Sequence, residues 1–156
     1  MTGHAAHWAA ADGPSTKQRM GAQRAVSRLL EVLAPEMPLA RREVPVTAGV
    51  QCLRTARGCI LQGVEGAVSV SWFPSAGSEP SLGELQVTLW NGTLHRPGAS
   101  TRGPAGAVTV REAIFFPIER EDGWRWRTTD GTMLDTDALA MQCRALLGES
   151  AAHAAR

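Results

Sequence analysis

The feature that most constrains this chain is a run of alternating side chains broken repeatedly by turn residues. Val68, Val70 and Trp72 alternate with Ala67, Ser69 and Ser71, and Leu85, Val87 and Leu89 alternate with Gln86, Thr88 and Trp90. A period of two puts successive residues on opposite faces of a strand, so these segments predict half-buried β-strands. Val50–Leu53 and Cys59–Gln62 are shorter candidates of the same kind. Ala107–Glu119 is the longest, and Trp124–Thr129 returns beside it after Glu121-Asp122-Gly123. Asn91-Gly92 has the composition of a type I′ hairpin turn, which predicts a short return strand over Thr93–His95. The sequence holds 16 Gly and 9 Pro, which suits strands joined by tight connections better than a helical bundle.

Helical periodicity occurs at the two ends of this region. Ser15 followed by Gln18 is a capping box. Ala22, Ala25, Val26, Leu29, Leu30 and Leu33 then make one apolar stripe, with Lys17, Arg24 and Arg28 opposite and Pro35 as the stop. A second helix is predicted over Thr136–Leu147, capped by Asp135 or Thr136 and closed by Gly148. The expectation is α+β: an antiparallel sheet of five to six strands, with an N-terminal and a C-terminal helix packed on one face in two layers. The domain spans 15–148, between flexible tails at 1–14 and 149–156. The element order resembles that of small dimeric secretion chaperones in architecture alone, with no residue pattern behind it.

Several classes of function lose support at this stage. No stretch approaches the roughly 18 apolar residues of a membrane span. Met1–Pro14 lacks the n-region and h-region of a secretory signal, so cytoplasm is the expected location. Cys52, Cys59 and Cys143 are odd in number and lack CxxC spacing, which favours free buried thiols. Gly98–Gly103 has the glycine spacing of a phosphate-binding loop, but Pro104-Ala105 stands where Lys and Ser/Thr are required. Asp130, Asp135 and Asp137 do not follow the EF-hand order, and turn and cap duties account for them. No cofactor is expected. His4, third from the free amine once Met1 is removed, is a candidate for a square-planar metal site.

Charge is uneven. Residues 15–58 hold eight Lys/Arg against three Glu, residues 59–156 hold eight Arg against eleven Asp/Glu, and the whole chain is +1. Arg24 and Arg28 make the first helix a candidate partner surface, and Trp90 on the more polar side of its strand is a candidate aromatic anchor. Strict alternation places Glu112 with Val108, Val110, Ile114, Phe116 and Ile118 and points its carboxylate into the core, where it would be a candidate general acid or base, with His95 nearby. A β-bulge near Arg111–Glu112 is the competing reading and the favoured one.

The leading expectation is a non-catalytic accessory protein that contacts another protein, or a second copy of itself as a homodimer, through the sheet face or the basic helix. The alternatives are a small enzyme or ligand-binding protein with a sheet–helix pocket using Glu112, and nucleic-acid binding through residues 15–58.

Overall fold

The computed structural model describes residues 13–35, 49–75, 80–94 and 106–154. His4, His95 and residues 1–12 lie outside them.

Helix α1 spans Thr16–Leu33 and begins as the capping box requires. Ser15 accepts from the Gln18 amide, and the Gln18 side chain accepts from the Ser15 amide. Ala22, Ala25, Val26, Leu29 and Leu33 are its buried residues. Seven strands follow among the described residues: β1 (Gln51–Arg54), β2 (Gly58–Gln62), β3 (Gly66–Pro74), β4 (Gly83–Asn91), β5 (Val108–Arg120), β6 (Gly123–Thr128) and β7 (Met133–Leu134). They form one antiparallel sheet in sequential order, each strand paired with the next. The expected five to six strands become seven because β7 is two residues long, too short for alternation to show. Helix α2 closes the chain at Thr136–Ala154.

Two local expectations are corrected, and the competing readings of Glu112 are decided. Asn91-Gly92 does not make a type I′ turn, which needs positive φ at both residues. Gly92 has φ 103°, and no described non-glycine residue has a positive φ. β4 is already flanked by β3 and β5, so a return strand at Thr93 would find no free edge. The segment is held instead by Gln62, whose side chain accepts from the Leu94 amide at 2.9 Å and donates to the Gly63, Gly66 and Gly92 carbonyls.

Gly148 does not end α2. The helix runs through it, so Glu149–Ala154, expected as tail, are helical. A mid-helix glycine costs only about 1 kcal/mol relative to alanine, and no helix-breaking proline follows. A Cβ added at Gly148 would meet nothing within 4 Å. Gly148→Ala is therefore expected to stabilise the fold by about 1 kcal/mol and to raise Tm by roughly 2–4 °C, measured by thermal denaturation.

β5 carries the β-bulge that is the favoured reading near Arg111–Glu112, placed at Val110. Arg111 pairs with Leu89 and Thr109 with Trp90, so Val110 is an extra residue opposite the Leu89–Trp90 step. This is a β-bulge, and it changes the phase of the strand, so that Val108 and Glu112 share parity in number but not face. Phe115 pairs with buried Leu85 and Ala113 with buried Val87, and these supply the core side of β5. Glu112 pairs with Thr88 and is exposed. It does not enter the core.

One buried cluster unites the apolar stripe of α1, Leu139, Ala140, Cys143 and Leu146 of α2, and Cys59, Leu61, Val68, Val70, Trp72, Leu85, Val87, Leu89, Phe115 and Trp126 of the strands. Asp135 is the cap of α2: its carboxylate accepts from the Ala138 amide at 2.7 Å. Asp130 serves the turn between β6 and β7, accepting from the Thr132 amide at 3.0 Å and from the Thr128 hydroxyl. The hydroxyl bond to the charged form, first among its partners, holds the carboxyl down at about 2.

Candidate functional site: the second face of the sheet

The residues that alternate with the buried set define the other face of the sheet. From the strand pairings these are Leu53 and Ile60 on β1 and β2, then Ser69, Ser71 and Phe73 on β3. Gln86, Thr88 and Trp90 on β4 face Glu112, Ile114 and Thr109 on β5, and Phe116 and Ile118 face Arg127 and Arg125 on β6. Most of these side chains are half-buried, Thr109, Glu112 and Arg127 are exposed, and Thr88 is buried. β5 thus carries its more apolar row, Ile114–Phe116–Ile118, away from the core.

Trp90 lies on this face, as its parity predicts. Its indole N–H donates to the Ser69 hydroxyl across β3–β4 at 2.9 Å, which fixes the ring on the strand surface. Trp90, Ser69, Ser71, Gln86, Thr88, Thr109 and Glu112 line a shallow concavity of about 290 Å³. Beside it, Phe73 and Phe116 border a second hollow of about 460 Å³ with Pro74, Ser75, Ser81, Gly83 and Glu84. The Arg57 guanidinium stands 4.9 Å from the centre of the Phe73 ring, a cation–π contact. The face therefore has a polar, hydroxyl-rich centre beneath one indole, an apolar flank on β5, and arginines at Arg57, Arg125 and Arg127. Arg125 is itself paired with Asp122.

Glu112 and Trp90 are brought together here, whereas no sheet–helix pocket among those between the described residues contains Glu112. The gap between β5 and α2, lined by Val87, Arg111, Ala113, Phe115, Leu139, Gln142, Cys143 and Leu146, has a volume of about 10 Å³, at most one water. Arg24 and Arg28 are exposed on α1, far in register from its buried stripe. His95, proposed as the companion of Glu112, and His4, proposed as a metal ligand, are outside the described residues. Trp72 and Trp126 are core, and Trp124 packs against the core. Phe73, Phe116 and Arg57 were not singled out by sequence reasoning. The signal for Phe116 was present in its parity with Ile114 and Ile118 but pointed to the wrong face.

The cysteines divide by burial. Cys52 is exposed, while Cys59 and Cys143 are buried. Burial pushes the Cys59 thiol up to about 11 and the Cys143 thiol up to about 12. A native sample at pH 8 is expected to give one reactive thiol with an aromatic disulfide reagent and three in denaturant. The two buried groups also favour the protonated fold. Their contribution is complete below the ordinary thiol value of 9.0 and is lost as pH rises through about 11 to 12.

Comparison with protein-family models, with curated proteins and with solved structures finds no match to this chain.

Proposed function

We propose that this chain is a non-catalytic binding protein that holds another protein against the second face of its sheet. In this reading both helices pack on one face, in two layers, and leave the other for a partner. The observation that carries it is the concentration of Trp90, Phe73, Ile114, Phe116 and Ile118 on the face opposite the buried cluster. A half-exposed indole flanked by aliphatic and aromatic side chains is the composition of an interface centre, and the surrounding arginines suit its rim. The Trp90–Ser69 hydrogen bond holds the ring in place before binding, which lowers the ordering cost of association. Exposed Arg24 and Arg28 offer a basic surface on α1 that steers an acidic partner without fixing its pose.

The test is Trp90→Ala. Stability should fall by only about 1–2 kcal/mol, from one hydrogen bond and partial burial. A photo-crosslinking residue at position 116, introduced in the cell of origin, should give adducts to a discrete protein that vanish with Trp90→Ala. Adducts indifferent to Trp90, or a Trp90→Ala chain that fails to fold, would count against this surface.

A second reading rests on Glu112. Its carboxylate and the Trp90 ring line one polar concavity, an arrangement that suits a small cationic or hydroxylated ligand stacked on the indole. Glu112→Gln would abolish such binding, measured calorimetrically, and leave protein capture unchanged.

A further inference from the structure

We propose that the outer edge of Val108–Ile114 on β5 joins two copies of this chain, antiparallel, into one continuous sheet.

β5 pairs with β4 along Val108–Phe115 but with β6 only from Phe115 onward. Among the described residues, no strand pairs with the β6 side of Val108–Ile114. Backbone donors and acceptors that point to that side are a template for another strand, and so long an open edge is a liability that proteins cover or use. The other two edges are short: β1 has four residues and β7 two. Arg54 of β1 is moreover turned to α1, donating to the Ala34 carbonyl at 2.8 Å and pairing with Glu31 at 2.9 Å. The β5 edge instead displays apolar side chains, with Val108 64% and Val110 38% exposed.

A second copy is the occupant that the charges favour. A twofold axis normal to the sheet pairs this edge with itself and sets α2 beside its symmetry mate. Arg111 on the edge pairs at 3.4 Å with Glu149 on α2, and both side chains are at least half exposed, 58% and 50%. The two opposite charges recur in reverse order across the axis, so each Arg111 also approaches the other copy's Glu149. Gln142, which lines the gap beside Arg111, falls seven residues before Glu149 on the same flank of α2 and faces the same junction. The contact is isologous, so it consumes both edges and stops at two copies.

Sedimentation of the full chain over about a hundredfold range of concentration tests this. The expected mass is twice 16.6 kDa. Val108→Lys and Val110→Lys should raise the dimer dissociation constant by about tenfold or more and leave the secondary structure of the diluted monomer unchanged, because both positions are exposed. Val110→Cys in a Cys52→Ser background should give a covalent dimer when oxidised glutathione is added to accept the two electrons. A wild-type chain that stays monomeric throughout overturns the proposal. So does a dimer that survives Val110→Lys and is lost with Phe116→Glu, which would move self-contact to the second face and leave the binding reading of that face standing.

Discussion

Trp126→Ala should destabilise the fold by about 3–5 kcal/mol and lower Tm by roughly 10 °C or more. Trp126 is fully buried, and it is among the largest side chains in the core. On β6 it lies between Pro117 of β5 and Leu134 of β7, and its indole N–H reaches the Thr136 hydroxyl at 3.4 Å where α2 begins. Truncation removes contact with two neighbouring strands and a helix together, and leaves a cavity that fixed backbone cannot fill. A domain of this size is stable by about 5–15 kcal/mol, so the variant should sit near the limit of folding. Trp72 supplies the contrast. It is 6% exposed, and its indole N–H is buried with no hydrogen-bond partner among the described residues. Trp72→Phe sheds that unsatisfied donor and should cost far less than Trp126→Phe, in chemical denaturation of the two side by side.

Gly58→Ala is the second large effect. A Cβ at Gly58 would lie 1.8 Å from the Val70 carbonyl oxygen, a backbone atom that no side-chain rotation can move. Gly58 opens β2 opposite Ser71, and the Thr55 amide closes on the Gly58 carbonyl at 2.9 Å to form the β1–β2 turn. The β2–β3 pairing must separate to admit the methyl group, at about 3 kcal/mol or more. Gly148→Ala in the same assay should have the opposite sign, because space at Gly148 is open. A glycine at a close backbone approach and one in a solvated helix are chemically identical and energetically opposed.

Much of the fold is legible from residues close in sequence. Ser15, Gln18 and Pro35 bound α1 because caps and breakers act over one turn. Glu121-Asp122-Gly123 sets the β5–β6 hairpin in the same way, with Gly123 at φ 120°. What escaped depended on neighbours distant in the chain. The failure of Asn91-Gly92 as a hairpin follows from β5 occupying the edge of β4 from seventeen positions away in number, Asn91 to Val108. The face of Ile114, Phe116 and Ile118 follows from register with Leu85 and Val87, and the bulge at Val110 breaks the parity that a single strand would suggest. Hydrophobicity alone would have chosen that row as core. Trp90 was legible because its own strand alternates without interruption.

The claim on which the function rests is that one face of the sheet is available to a partner, and solvent access to its side chains reports on this directly. A soluble paramagnetic probe added to dilute protein should attenuate the NMR signals of the Ile60, Ile114 and Ile118 methyls and of the Trp90 indole, while Val70, Val87 and Leu89 stay protected. Equal protection of Ile114, Ile118 and Leu89 in the monomer would mean that the chain covers this face itself, and no partner could dock there.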